Sequence, residues 1–181
     1  MSIGRILAIA VIFSSGLARY ASGAAETRLI DQFGHPVDSR ELGGHWLLVY
    51  FGYASCKEIC PTALTVMTTV LNHLGTTADS IEPLFVTLDP THDTPAVMRA
   101  FASHFHPRIR ALTGSAQAVA EAARTFDVSW KSSPAARISD HGTLFYVVAP
   151  DGQVVQALHP QQPVADLVAT IRKRIAAAAP P

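Results

Sequence analysis

Two short apolar runs, Trp46–Phe51 and Leu84–Leu88, stand out in the pattern of hydrophobic and polar positions along the chain. Runs of this length without polar alternation are typical of strands that are buried on both faces. Between them, apolar residues recur every three or four positions, which predicts a helix from Pro61 to about Leu74 with an inner stripe of Leu64, Met67, Leu71 and Leu74. Pro61 suits the first helical position, because its missing N–H group would have no helical partner there.

The alternation of strands and helices continues to the end of the chain. Helices are predicted after Thr94-Pro95 and Gly114-Ser115 and from Pro163, and a β-hairpin that turns at Pro150-Asp151-Gly152 lies between the last two. The predicted inner faces of the three helices are Val97, Phe101 and Phe105; Val119, Ala122, Ala123 and Phe126; and Leu167, Ile171 and Ile175. The predicted strands of the hairpin are Thr143–Val148 and Val154–Leu158.

Two segments lie outside this alternation. Leu29–Val37 is predicted to form an N-terminal β-hairpin with Gly34 in its turn. The polar stretch 130–140, which is rich in Ser and Pro, is predicted to be a loop.

The chain's only two cysteines, Cys56 and Cys60, lie in the turn between the first core strand and the first core helix. If the helix begins at Pro61, Cys60 lies near its N-cap, where unpaired N–H groups favour a thiolate, and Lys57 adds to the positive field. Two thiols at this spacing could close a disulfide or hold one soft metal ion. A disulfide around so small a loop would stabilise the fold little, so a chemical role is the better interpretation.

A cysteine pair at the end of the first core strand, followed by this order of elements, matches a thioredoxin-like arrangement. We therefore predict a mixed α/β sheet with helices on both faces. The N-terminal β-hairpin precedes this core, and a helix–strand unit between Pro95 and Leu112 is inserted into it.

Composition indicates one domain with a substantial core, since 49% of the 181 residues are apolar. The formal net charge is zero, which gives no reason to expect nucleic acid or an anionic membrane surface as a partner.

The first residues have the layout of a secretory signal peptide: Arg5, the short apolar run Ile6–Phe13, and small residues at Ala21–Ala25. We expect a leader over residues 1–24 and a mature domain over residues 25–181. Export places the domain in an oxidising, periplasm-like compartment. An uncleaved membrane anchor is the alternative, although the apolar run is short for a membrane span of about 20 residues.

Four blocks of sequence carry a family resemblance. They are Phe51-Gly52-Tyr53 with Cys56, Cys60 and Pro61; Val86-Thr87-Leu88-Asp89-Pro90 with Asp93-Thr94-Pro95; Asp140-His141; and Pro150-Asp151-Gly152. On these blocks the chain resembles the Sco/SenC family of copper-binding thioredoxin-like proteins, which help to assemble the dinuclear copper centre of cytochrome c oxidase. It departs from that family at Ala54-Ser55, where Thr followed by His or Asn is frequent, at Lys57-Glu58-Ile59, where Pro-Asp-Val is common, and at His92, where arginine is usual.

The resemblance implies a copper site formed by Cys56, Cys60 and His141. Two thiolates and an imidazole form a soft donor set that suits Cu(I), and Cu(II) could also be held. A structural zinc site normally takes four protein ligands, and the nearby sequence offers no fourth. The resemblance also implies a metallochaperone whose partner is the copper-bearing subunit of cytochrome c oxidase or another copper protein.

Two other functions remain open at this point. With its Cys56/Cys60 pair the protein could be a thiol–disulfide reductase that keeps the cysteines of a copper-receiving partner reduced. A thiol reductant would then reduce the pair again. A peroxidase resembling the peroxiredoxins ranks last, because their nucleophilic cysteine lies in a Pro-x-x-x-Thr-x-x-Cys context that this turn lacks.

Several neighbouring residues have more than one possible role. Asp89 and Asp93 could orient His141, position Lys57, or simply turn and cap their loop. Turning and capping the loop is the stronger interpretation for Asp93. His92 is the other histidine that could assist as an auxiliary ligand. Five further histidines are expected at the surface: His35, His45, His104, His106 and His159. Met67 and Met98 follow helical apolar periodicity, so we expect them in the core.

Overall fold

A six-stranded sheet forms the centre of the fold and carries helices on both faces. The computed structural model describes residues 28–37, 42–132, 138–141 and 143–178, with the backbone alone for residues 131, 132 and 138–141. The predicted leader, residues 1–24, lies outside the described residues. Within the described part of the chain, no helix has both the length and the apolar character that crossing a membrane requires.

The four predicted helices and the strands of the six-stranded sheet follow one another in the predicted order. The strands are β1 (Leu29–Asp31), β2 (Trp46–Gly52), β3 (Ile81–Thr87), β4 (Arg110–Gly114), β5 (Trp130–Ser132), β6 (Ile138–His141), β7 (Phe145–Val148) and β8 (Val154–Leu158). The helices are α1 (Ile59–Leu74), α2 (Pro95–Ala102), α3 (Ala116–Thr125) and α4 (Val164–Ala177), and a 3-10 helix covers Gly75–Ser80.

The sheet has the strand order β1-β4-β3-β2-β7-β8. The two strands predicted from the continuous apolar runs, β2 and β3, pair in parallel at its centre, with Tyr50 opposite Phe85. On the other side of β2, β7 runs antiparallel, and Tyr50 is also opposite Phe145. The carboxyl end of β2, which leads into the cysteine turn, therefore lies beside the beginning of β7.

Alternate side chains of β2 point to opposite faces and fill two core clusters. Leu48 and Tyr50 pack with α1, α2 and α4 on one face, whereas Val49 and Phe51 pack with α3 on the other. Met67 and Met98 are both completely buried, which confirms that they belong to the core. The mixed sheet covered on both faces is the predicted architecture.

The predicted insert, α2 and β4, extends the sheet because β4 pairs in parallel with β3. Its helix is rotated relative to the prediction: Met98 and Ala102 are buried, whereas Val97 is 41% exposed. The predicted N-terminal hairpin is reduced to β1, a turn at Gly34 with φ of +86°, and an isolated bridge between Ile30 and Pro36. Most of the pairing of β1 is instead with β4.

The prediction of a loop was wrong for residues 130–132 and 138–140, which form strands. The strands β5 and β6 pair antiparallel as a separate two-stranded sheet, with Trp130 opposite His141. This small sheet lies outside the six-stranded one, so its strands lack the alternation of apolar and polar residues that would have revealed them. Residues 133–137, between the two strands, are outside the described part of the chain.

Candidate metal centre

The two cysteines lie together where β2 passes into α1. Helix α1 begins at Ile59, two residues before the predicted start, so Cys60 lies inside its first turn rather than at its N-cap. The N-cap residue, Glu58, makes no capping hydrogen bond with its side chain. The sulfur of Cys56 takes that role, because it accepts the N–H of Cys60 at 3.3 Å.

Cys56 is the thiolate-prone cysteine, and the prediction that Cys60 has this role was wrong. Burial opposes ionisation of Cys56, but hydrogen bonds from the backbone N–H groups of Cys60, Glu58 and Ile59 and from the Cys60 thiol lower its pKa below the ordinary value. Unpaired N–H groups at a helix start favour an anion in this way. The early start of α1 directs these groups to Cys56 instead of Cys60.

Cys60 has the opposite environment, since its side chain is completely buried in the core cluster around Tyr50. Burial raises the pKa of the Cys60 thiol to about 12, and the hydrogen bond with Cys56 contributes to the rise. The two sulfurs are therefore adjacent but unequal. Both cysteines are free thiols, one half-buried and one fully buried.

Each thiol also has a tyrosine partner, which the sequence pattern did not reveal. The hydroxyl of Tyr50 donates to the sulfur of Cys60 at 3.9 Å, and Tyr53 is hydrogen-bonded with Cys56. Burial and the neighbouring cysteines raise the pKa of both phenols, so both hydroxyls stay protonated as donors. The apolar run around Tyr50 indicated a core strand, and nothing in that pattern distinguishes a core tyrosine from one that contacts a sulfur.

Gly52 leaves the space that Cys60 occupies. A Cβ atom at this position would lie 2.7 Å from the sulfur of Cys60 and 3.0 Å from the ring of Phe85. Contacts this short are not tolerated in a packed core, so a side chain here would displace the thiol.

We expect Gly52→Ala to reduce the free energy of unfolding by about 1–3 kcal/mol, the usual cost of overpacking a core. Chemical denaturation measures this loss. The matched control is the double variant Gly52→Ala/Cys60→Ala, which removes the sulfur that the new methyl group would contact. If the two substitutions destabilise the protein additively, the clash with Cys60 is not the cause.

Asp93 joins the cysteine turn to the loop after β3. Its buried carboxylate accepts the hydroxyl of Thr87 at 2.6 Å and the backbone N–H of Ala54 at 2.9 Å. Burial raises the pKa of Asp93, and these two hydrogen bonds oppose the rise. The expected N-cap role belongs to Thr94, whose hydroxyl accepts the N–H of Val97 at 3.4 Å. Asp93 instead holds the cysteine turn in place.

The predicted ligand His141 lies at the end of β6, and its side chain is outside the described part of the structure. Thr143, two residues later, lines a groove of about 560 Å³ together with Glu58 and Ile59 of the α1 start. Among the described side chains, which do not include that of His141, no three His, Cys, Asp or Glu residues form a metal-binding group.

Comparisons with known proteins identify the family of this chain. The family model described as SCO1/SenC matches residues 19–176. The mitochondrial SCO2 homolog of Danio rerio is 38% identical over 142 residues, which are 75% of this chain and 51% of that protein. The mitochondrial SCO2 homolog of Mus musculus is 33% identical over 170 residues, which are 91% of this chain and 67% of that protein.

Among solved structures, that of yeast Sco1 with copper bound superposes with a TM-score of 0.78 at 32% sequence identity. The superposition covers 85% of this chain and 88% of the yeast one. The chain thus spans only half to two thirds of the length of the two SCO2 relatives, but almost all of the solved yeast domain. With a family model that matches most of its length and relatives above 30% identity, this chain belongs to the SCO1/SenC family.

Proposed function

We propose that this protein is a copper metallochaperone that binds copper through Cys56, Cys60 and His141 and delivers it to, or matures, the dinuclear copper centre of cytochrome c oxidase. The observation that carries the proposal is the adjacency of the two unequal thiols at the start of α1. Thr143, two residues after His141, lines a groove together with Glu58 and Ile59 at the start of the same helix. A related structure is described as yeast Sco1 with copper bound.

The donor set suits Cu(I), because thiolate sulfur and imidazole nitrogen are ligands that copper prefers. Copper must displace the protons of both thiols, and the backbone N–H groups at Cys56 make the first thiolate available. Tyr50 stabilises negative charge on the buried sulfur of Cys60 by its hydrogen bond. The half-buried sulfur of Cys56 is the one that a partner's ligand can reach during transfer.

The test is an anaerobic Cu(I) titration of the reduced protein, with metal content and free thiols measured together. We expect one copper ion per chain and the loss of both reactive thiols upon binding. A chain that binds no copper while both thiols are reduced would contradict the proposal.

A second function is favoured by the difference between the two thiols: reduction of a disulfide in a copper-receiving partner. The thiolate of Cys56 would attack the partner's disulfide, forming a mixed disulfide and releasing one partner thiolate, which takes a proton. The sulfur of Cys60 would then attack Cys56, release the second partner thiol and leave a Cys56–Cys60 disulfide. A thiol reductant must then supply two electrons to restore the pair.

We expect alkylation at pH 8 to modify Cys56 before Cys60. A pKa of about 12 leaves Cys60 with roughly a thousandfold less thiolate than an ordinary cysteine. Trypsin cleaves after Lys57, so the two cysteines fall in separate peptides and mass spectrometry can assign the label. First labelling at Cys60 would argue against both the order of attack and the accessible role of Cys56.

The proposal includes export to a periplasm-like compartment, either with removal of residues 1–24 or with an uncleaved anchor. N-terminal sequencing of the protein from its native compartment should show that the leader has been removed by cleavage before about Thr27. Recovery of the intact leader in the membrane fraction would favour the anchored form.

A further inference from the structure

Two histidines lie beside the cysteine turn, in a cleft of about 660 Å³. The cleft is lined on one side by Ala54 and Ser55 of the cysteine turn and also by His92 and His104. Both histidines thus face a space that adjoins the proposed copper centre.

The imidazole of His92 is held by a buried carboxylate. Its Nδ1 lies 2.8 Å from Oδ1 of Asp89, whose side chain is 10% exposed compared with 51% for His92. A carboxylate only accepts hydrogen bonds, so in the neutral ring the proton is on Nδ1 and the lone pair is on Nε2. A carboxylate that orients a histidine in this way is characteristic of metal-binding histidines.

The structure of the loop does not require this ring. Backbone bonds already form the turn, since the N–H groups of His92 and Asp93 both donate to the carbonyl oxygen of Asp89. Asp93 ties the loop to Thr87 and Ala54 through its side chain. The imidazole of His92 is therefore positioned without being needed to hold its surroundings.

Asp89 supplies a second observation. Its Oδ2 is buried and has no hydrogen-bond partner among the described residues. A buried carboxylate oxygen without a donor is costly, and a positive charge nearby offsets that cost. A cation bound to Nε2 of His92 would place a positive charge beside this carboxylate, because Oδ1 of Asp89 accepts the Nδ1–H group of the same ring.

We propose that His92 and His104 form an accessory copper site at which an ion docks beside the cysteine turn before it enters, or after it leaves, the Cys56–Cys60 pair. Two imidazole nitrogens suit copper. Asp93 joins the loop of His92 to Ala54 by a hydrogen bond, which fixes the position of His92 relative to the cysteine turn. The transfer role rests on the proposed function, whereas binding at the two histidines can be measured without it.

The experiment uses the full chain with Cys56→Ser and Cys60→Ala, titrated anaerobically with buffered Cu(I) and followed by NMR of the histidine rings. We expect one weakly bound copper ion that first shifts the signals of His92 and His104. Adding His92→Gln or His104→Gln should lower the affinity at least tenfold. Asp89→Asn, which removes only the orienting charge, should weaken binding by about 10–100-fold.

His73→Gln is the matched control. Its Nδ1 donates to the carbonyl oxygen of Thr69 at 2.8 Å, so its Nε2 is free as well. It lies in the last turn of α1, about 20 Å along the helix from the cysteine turn. An equal loss of affinity in His73→Gln, or none in His92→Gln, would overturn the accessory site and indicate general binding to surface histidines.

A variant lacking both thiols could fail to fold, which circular dichroism detects. Cys56→Ser alone, with the buried Cys60 in place, then replaces it in the same titration. His92→Gln in a chain that retains both cysteines separates the two proposals. If this variant binds copper as tightly as wild type, the Cys56, Cys60 and His141 site is supported independently of the accessory site. Copper binding to wild type that is no tighter than binding to the thiol-free variant would contradict the proposed function alone.

Discussion

His141→Ala is expected to weaken Cu(I) binding by more than about 100-fold, because removing a group that merely orients a metal ligand already costs about 10–100-fold. A trigonal site that loses its imidazole must recruit water or another side chain. Cys56→Ser and Cys60→Ser should have effects at least as large, since each removes a thiolate. Competition with a Cu(I) chelator of known affinity measures the loss.

His159→Ala is the control for this substitution. His159 is exposed and lines the same groove as Thr143, so it tests whether any nearby imidazole would serve as well. We expect His159→Ala to retain the wild-type affinity. If His159→Ala loses copper and His141→Ala does not, the third ligand has been assigned to the wrong histidine.

His141→Ala should also leave the thiol chemistry intact. The Cys56–Cys60 pair is positioned by β2 and α1, and neither element depends on the side chain at 141. The variant should therefore still form its disulfide under mild oxidation, as measured by thiol counting. Loss of disulfide formation would indicate that the substitution disturbed the turn, and the copper result would then carry no information about ligation.

The sequence predicted the central sheet well because its signal is local. Continuous apolar runs of five or six residues have few alternatives to a doubly buried strand, and β2 and β3 occupy them almost completely. The cysteine pair was likewise placed in the correct turn, because it lies between a strand and a helix that are both strongly patterned. Local patterns also gave the hairpin of β7 and β8, with Gly152 at φ of +85° in its turn.

The start of α1 shows what such patterns miss. Pro61 is a favoured first residue, but proline is also tolerated later in the first turn, where its N–H group would still lack a helical partner. Ile59 is 53% exposed, so it adds nothing to the apolar stripe that defined the helix. This difference of two residues moved the helix N–H groups from Cys60 to Cys56 and exchanged the predicted properties of the two thiols.

The remaining features of the site depend on contacts between distant parts of the chain. The bond from Asp93 to Ala54 spans 39 residues, and Gly52 contacts the sulfur of Cys60 only because β2 and α1 pack together. Such contacts leave no periodic trace in the sequence. Asp93 therefore looked like a turn or capping residue, which is the common role of aspartate before a helix.

The second large effect concerns redox chemistry: bound Cu(I) should raise the reduction potential of the Cys56–Cys60 disulfide. Copper needs the lone pairs of both thiolates, whereas the disulfide uses the same sulfurs for a covalent bond and is a poor ligand. By linkage, a ligand that binds only the dithiol form stabilises it by about 2.7 kcal/mol when its free concentration is 100 times Kd. For a two-electron couple this corresponds to roughly 60 mV.

The measurement is a titration of the dithiol/disulfide couple in a glutathione or dithiothreitol redox buffer, first without copper and then with Cu(I) buffered at a known multiple of Kd. The potential should rise by about 60 mV for a hundredfold excess of free copper over Kd and by about 30 mV for a tenfold excess. This slope distinguishes specific linkage from a general effect of copper on the buffer. The same titration of His141→Ala should require more copper for an equal rise, because the variant binds the ion more weakly. A potential that does not move with copper, in a protein that still binds it, would remove the two sulfurs from the copper site and leave thiol–disulfide exchange as the better account of the pair.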